Sequence, residues 1–537
     1  MKKFNILACF ALSLLAAFST NAQSVRFLNP VFSDVTINRL AYGANFTILA
    51  VPSTGRTLKQ PLGMDVYQPT GDTAAKRPLV IYLHTGNFLP NPQNGSPSGR
   101  FDDSTAVEIS TQLAKMGYVV ASADYRLGWD PLNSIPERRN NTLINAAYRG
   151  VQDARTCVRF FKENAAAFKI DTNRIVMWGQ GTGGYIALAA ATLNKYTEIV
   201  TTTNPAGKFV GSNGLPMVIE KVQVAPGVFL FINSDIEGKN NGFVPPNADG
   251  TPNPGPPPTG DTLCKGNWLN HNSDFQMYVN LGGALGDISW LDSASTPGIS
   301  FHCPYDPYAP YKDDILFVPV PPTPLPVVRV QGSYEVQKKA HALGLDANFT
   351  KIKPAFDPYG AKANSKNEGY FGLFPIYGNA KDSNGVFLVT DASPWDFWST
   401  SNPNHLAGLN TNPNMTKAKA LVYIDTIIKF YAPRACKQLK LASCADLVSG
   451  TEDVLKEADV KVTLSPNPAY GSVQVVSEEN SPIRHIVIYD VEGRIVDSQF
   501  NINANSYEIQ RKQIPAGMYF VEMHFEKGKL SKKLIFN

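Results

Sequence analysis

Arg174-Ile175-Val176-Met177-Trp178-Gly179-Gln180-Gly181-Thr182-Gly183-Gly184 is the stretch on which the fold turns. The short apolar run Ile175–Trp178 carries a bulky β-branched or aromatic side chain at nearly every position, as a strand buried on both faces does. The glycines that follow permit an abrupt change of direction, and a helix is expected from about Tyr185 to Leu193. Working outward, Pro78-Leu79-Val80-Ile81-Tyr82-Leu83-His84 and Tyr118-Val119-Val120-Ala121-Ser122-Ala123 read as two further buried strands. Helical stretches at Asp103–Lys115 and Leu143–Phe168 separate them from each other and from the elbow. Beyond it, alternation resumes at Met277–Leu281 and Gly298–His302, and a last helix covers Met415–Tyr431 with Leu421, Ile424, Ile427 and Ile428 along one side. Strands and helices alternating at this spacing imply an α/β domain built on a doubly wound, mostly parallel sheet.

The chain has 537 residues, enough for one large domain and a small one; 43% of them are hydrophobic and 18% charged, a globular composition. A net charge of +4 with Lys and Arg scattered argues against nucleic acid as a partner, because phosphate binding needs a concentrated basic stripe. Met1-Lys2-Lys3, the apolar run Ile6–Phe18 and Thr20-Asn21-Ala22 form a secretory signal peptide over residues 1–22, with the mature chain beginning near Gln23. No later apolar run reaches the length of a transmembrane anchor. Export gives the cysteines a meaning: of Cys157, Cys264, Cys303, Cys436 and Cys444, the close pair Cys436–Cys444 is expected to be bridged and Cys264–Cys303 follows by elimination. Cys157 lies on the apolar side of a helix and reads as a buried, inert thiol. Nothing in the Cys and His spacing resembles a metal site, and no cofactor motif is present.

The Pro-rich residues 245–260 read as a surface excursion. After Cys444 the character changes. A linker is expected at 445–458, then period-2 strands at Gly471–Val476, Ile486–Tyr489 and Met518–Met523 within a small antiparallel β-sandwich over 459–537. Ser465-Pro466-Asn467-Pro468, Tyr489-Asp490-Val491-Glu492-Gly493-Arg494-Ile495-Val496, Ile514-Pro515-Ala516-Gly517-Met518-Tyr519-Phe520-Val521 and the closing Lys532-Lys533-Leu534-Ile535 make this segment resemble the type A sorting domain of the type IX secretion system. The resemblance implies export across an outer membrane with that machinery as partner.

Residues 23–444 carry four landmarks in the order of an α/β hydrolase. His84-Thr85-Gly86-Asn87-Phe88 resembles the His-Gly-Gly-x loop of carboxylesterases, with Thr85 in place of a Gly. Asp124-Tyr125-Arg126-Leu127-Gly128 is close to that family's Asn-Tyr-Arg-Leu-Gly, and Gly179–Gly184 is similar to its Gly-x-Ser-x-Gly-Gly elbow. Ser300-Phe301-His302-Cys303-Pro304-Tyr305-Asp306 resembles the strand end that bears the triad acid. The resemblance implies oxyanion donors at Gly86, Asn87 and Thr182, an acid at Asp306 and a histidine before the last helix, at His405. His341 falls in a helical run and His302 on a strand. The nucleophile position, however, is Gly181. Glycine holds the elbow's backbone at little cost, but the hydroxyl is gone. Thr182, one position along, is an alternative nucleophile whose side chain is expected to point away. Pro394-Trp395-Asp396-Phe397-Trp398 offers Trp395 and Trp398 either to grip a ring or sugar face or to pin the surrounding insertion.

Gly181 favours a catalytically degenerate carboxylesterase-like protein retained for binding a small molecule, glycan or protein. The alternatives are an active secreted esterase acting on carbohydrate or lipid acyl esters through a non-standard nucleophile, and a passive surface component.

Overall fold

The computed structural model describes residues 26–537 except 55–56, 213, 215, 219–220, 226–227, 232–234, 240–263, 319–324, 351, 354–355, 379–390, 442–443, 445–454, 500–501, 513 and 526–527. The signal segment, the Pro-rich excursion at 245–260 and most of the linker lie outside the described residues. By contacts the chain divides into two compact units.

The larger unit is built on an eight-stranded sheet. Its strands are β1 (Val35–Thr47), β2 (Leu58–Pro69), β3 (Arg77–Leu83), β4 (Val119–Ala123), β5 (Ile170–Gln180), β6 (Met277–Leu281), β7 (Gly298–His302) and β8 (Leu373–Pro375). The spatial order is β1-β2-β4-β3-β5-β6-β7-β8; β1 and β2 are antiparallel to their neighbours and the rest are parallel. That order, with helices between the strands, is the α/β-hydrolase fold. Every residue of β3, β4, β6 and β7 is buried, which is why these segments read as unbroken apolar runs. The β1–β2 hairpin escaped the sequence reading, because its outer strand alternates with many exposed polar residues at the sheet edge.

The helices are α1 (Ser104–Lys115), α2 (Pro136–Glu163), α3 (Thr182–Thr192), α4 (Ser333–Ala342) and α5 (Lys417–Gln438). Helix α2 begins seven residues before the first apolar position of its expected range, with Pro136 in the first turn, where a missing N–H costs nothing. The buried pair Arg126–Asp153 (2.8 Å) ties the loop after β4 to α2, and the backbone N–H of Arg126 donates to the same carboxylate. A hairpin of two strands, Asp313–Val318 and Leu325–Gln331, lies outside the main sheet.

Cys436 and Cys444 are both disulfide-bonded. The expected Cys264–Cys303 bridge does not form; both residues are buried thiols, as is Cys157. The sheet explains why. Cys264 adjoins Lys265, whose N–H donates to Asn45 on β1, whereas Cys303 ends β7. Strands six places apart in one sheet are about 29 Å apart, far beyond the ~7 Å that a disulfide spans.

The smaller unit contains β9 (Val462–Ser465), β10 (Ser472–Ser477), β11 (His485–Tyr489), β12 (Ile495–Gln499), β13 (Ser506–Gln510), β14 (Gly517–His524) and β15 (Lys529–Phe536). They form a three-stranded sheet β9-β10-β13 and a four-stranded sheet β12-β11-β14-β15, antiparallel throughout, around a core that includes Val475, Ile486, Val521 and Leu534. No helix among the described residues is long and apolar enough to cross a membrane.

Candidate active site

The elbow keeps its form without its side chain. Gly181 caps α3 at φ 53° and ψ −117°, a conformation that costs a residue with a Cβ about 1–3 kcal/mol. The surrounding glycines are dictated by close approach: a Cβ at Gly179 would lie 1.9 Å from the Gly183 carbonyl oxygen, and one at Gly183 would lie 2.1 Å from that of Leu83. These contacts seat the N-terminus of α3 against the ends of β3 and β5.

Thr85 occupies the space left at Gly181. A Cβ built at position 181 would sit 2.2 Å from Thr85 Oγ1 and 2.9 Å from Thr85 Cβ. The two departures from the esterase pattern are therefore one paired change in space, a relation that separate motifs ninety-odd residues apart do not reveal. The loop tolerates Thr85 because its left-handed residues are the next three, Gly86 (φ 129°), Asn87 (φ 57°) and Phe88 (φ 55°). Gly86 has no alternative, since its Cβ would meet Gly99 Cα at 2.8 Å. His84 anchors the loop from below: Nδ1 donates to the Thr85 carbonyl, Nε2 lies 3.1 Å from Asp124 Oδ1, and the ring stacks on Tyr125. Burial opposes the imidazolium, but the Asp124 hydrogen bond and charge outweigh it and raise the His84 pKa.

Thr182 lines the cavity, and its hydroxyl is engaged by Tyr125. Tyr125 donates its only hydroxyl proton to the His84 carbonyl (2.8 Å), so the Thr182 hydroxyl, 3.0 Å from Tyr125 Oη, must donate to that oxygen. Asp306 stands after β7, nine-tenths buried, with Oδ1 accepting from the N–H groups of Tyr308 and Ala309. Burial, partly offset by those two donors, pushes its carboxyl up to about 7. Its nearest imidazole is His302, at 3.9 Å. That ring is fully buried and both nitrogens are engaged: Nε2 donates to the Ala309 carbonyl and Nδ1 accepts from the Ser333 hydroxyl. Burial holds it down to about 4, so it is neutral at neutral pH.

His405 is not brought to this site. It opens a short helix, His405–Gly408, and its Nδ1 accepts from Trp398 Nε1 at 3.1 Å. Trp398 and Pro97 both crowd Gly408, where a Cβ would lie 2.5 Å from the indole and 2.6 Å from the proline ring. Trp395 is different: it is 2% exposed and lines a cavity of about 560 Å³ that also receives Thr85, Asn87, Gly181, Thr182 and Asp306. His341, the remaining histidine weighed for the site, pairs with Asp346 at 2.8 Å on α4. No histidine lines the cavity among the described residues.

Asp396 was not anticipated as a site residue. Its buried carboxylate accepts from Ser98 (2.7 Å) and Thr105 (2.5 Å), and Gln180, which precedes Gly181, hydrogen-bonds to it. Tyr82 in turn donates to Gln180. Burial raises the Asp396 pKa against these donors. The partners come from β3, β5, α1 and loops distant in sequence, so no local pattern announces them.

Comparison with known proteins places parts of the chain in two families. Residues 64–221 match the BD-FAE family, and residues 463–537 match the secretion system C-terminal sorting domain. The chain therefore joins an esterase-like domain to a type IX sorting domain, which directs secretion to the cell surface. Carboxylesterase 3B of Mus musculus is 26% identical over 129 residues, 23% of this chain and 19% of its own length; the chain thus spans less than a fifth of that relative. Among solved structures, Thermogutta terrifontis esterase 2 phosphorylated by paraoxon is 16% identical, covering 51% of this chain and 73% of its own at a TM-score of 0.27. A truncated carbohydrate esterase from gut microbiota is also 16% identical, covering 52% and 81% at a TM-score of 0.27.

Proposed function

We propose that the larger unit is a secreted, esterase-like binding protein that no longer hydrolyses its ligand. The observation carrying this reading is Thr85 standing where the side chain of residue 181 would be. A lost nucleophile alone leaves a vacancy that one mutation refills, whereas here the neighbouring loop has grown into the vacancy. The lack of a histidine among the described cavity residues supports the same reading, because a serine or threonine hydroxyl needs a base to attack an acyl carbon. What remains is a cavity with an oxyanion-type loop at Gly86 and Asn87, the first turn of α3 at Thr182, Asp306 and Trp395. Those groups bind and orient an acyl ester without attacking it. Loss of a triad nucleophile lowers turnover by about six orders of magnitude. The purified protein should leave short nitrophenyl esters intact and should not label with fluorophosphonates; turnover at ordinary esterase rates would overturn the reading.

One observation favours a second reading, an active esterase with a displaced nucleophile. The hydroxyl that has entered the elbow's space belongs to Thr85, and it lines the cavity. Hydrolysis by the unmodified protein that disappears in Thr85→Val but survives Thr182→Ala would establish it.

A further inference from the structure

Away from Gly181 the cavity continues as a limb that ester chemistry does not require. One wall is a stripe of α2, Leu143, Ala147 and Val151, at four-residue spacing; the facing wall is the stripe Tyr185, Ala189 and Leu193 along α3. The outer hairpin closes it with Leu316 and Val328. Ile144, Ala147, Ala189, Leu316 and Val328 are only partly buried although they pack on the core, so apolar surface faces the open space. Among the described lining residues the only carboxyl groups are those of Asp306 and Asp396, both at the Gly181 end, and no Lys or Arg is present.

The limb's dimensions narrow what it can hold. It follows α3 from Thr182 to Leu193, about 16 Å at 1.5 Å per residue. The whole cavity, its Gly181 end included, measures about 560 Å³, room for one long hydrocarbon chain with a small head group. Sugar units would leave their hydroxyls unpaired against Leu, Val and Ala walls, at a cost of about 1–3 kcal/mol each. An apolar chain loses nothing there, and a lining of this kind stays dry until one enters. At the Gly181 end no Lys or Arg among the described lining residues offers an anionic head a partner, so burying one there leaves its charge uncompensated.

We propose that the cavity binds a single long-chain amphiphile with an uncharged, ester-type head: the chain lies between α2 and α3 and the head sits at Gly181. This rests on the reading of the site as one that binds without hydrolysing. The test uses ether-linked 1-O-butyl-, octyl- and dodecylglycerol, which cannot be hydrolysed, titrated into the purified protein below their micelle concentrations. Affinity should rise about fourfold per added methylene until the limb is full, the equivalent of ~0.8 kcal/mol per buried CH₂. Dodecanoate should bind at least tenfold more weakly than dodecylglycerol. Ala189→Phe and, independently, Ala147→Phe should reduce dodecylglycerol to the affinity of the butyl ether while thermal unfolding shows the variant folded. Binding that ignores chain length, dodecanoate binding as tightly as the ether, or a folded blocking variant with undiminished dodecyl affinity each overturns the proposal. Should neither variant fold, the chain-length series on the unmodified protein decides alone. Monolauroylglycerol added in parallel separates the two readings: its hydrolysis sinks the non-hydrolysing site and leaves chain binding standing, whereas length-independent binding sinks the chain proposal only.

Discussion

Thr85 and Gly181 compete for one volume, and that fixes what single substitutions there will do. Gly181→Ser places a Cβ within 2.2 Å of Thr85 Oγ1 and imposes a side chain on a backbone at φ 53°. Together these should cost on the order of 2–5 kcal/mol, read by thermal unfolding. Adding Thr85→Gly removes the overlap and leaves the backbone strain, so the double variant should recover part of the loss; a fully additive pair of effects would mean that the two side chains do not meet. The double variant should still not react with fluorophosphonates, since no histidine among the described residues reaches the cavity. Asp306 supports a pH prediction. Burial lifts its carboxyl from the ordinary ~3.9 to about 7, so the folded chain holds that proton more tightly than the unfolded one. Its contribution to stability is complete below the unfolded pKa and is lost as pH rises through about 7. Asp306→Asn keeps an Oδ1 acceptor for Tyr308 and Ala309 and cannot ionise. Relative to the unmodified protein it should gain about 1–4 kcal/mol between pH 4 and pH 8; parallel stability curves over that range would show that Asp306 stays charged when folded.

At the scale of elements, α3 is held to the sheet by backbone approach more than by side chains. Gly183 carries this: its N–H donates to the His84 carbonyl at 3.1 Å, and a Cβ there would meet backbone atoms of β3 that cannot move aside. Gly183→Ala should therefore cost at least ~2 kcal/mol despite alanine's better helix propensity, while Gly63→Ala, with nothing within 4 Å, should stay within about 0.5 kcal/mol. Equal effects in urea denaturation would refute the close-packing account. The same elements show what the sequence could disclose. Strands β3 to β7 were legible because each is buried on both faces and so writes its environment directly into an apolar run. The elbow was legible because its glycines fall together in one short stretch between a strand and a helix, even though Gly183 is pressed against Leu83 of β3. The hairpin β1–β2 was not, as its outer strand faces solvent, and the Cys264–Cys303 pairing failed because counting cysteines carries no information about which strand each one follows. The site was legible only where it is local. Asp306 follows its strand and enters the cavity; His405 satisfies a positional rule yet is spent on Trp398; Thr85 against Gly181 and Gln180 against Asp396 are encounters of distant segments.

For the whole molecule, each unit has a hydrophobic core of its own, one around Leu79, Ile81, Met177 and Ile186 and the other around Val475, Ile486, Val521 and Leu534. A chain with two separate cores is two folding units, and removing one core leaves the burial that stabilises the other. Deleting residues 455–537 removes the strands that match the sorting domain and none of the strands or helices of the larger unit. The truncated chain should unfold in one cooperative transition within a few degrees of the larger unit's transition in the full protein. It should also lose its route across the outer membrane and collect in the periplasm. Cell fractionation with thermal unfolding of the recovered protein tests both halves. A truncated chain that is unfolded would mean that the larger unit depends on the smaller for stability. A folded truncated chain found at the cell surface would mean that the signal for export lies elsewhere in the chain. Folded material confined to the periplasm separates the two tasks: the first 450 or so residues form the cavity, and the last eighty determine where it is delivered.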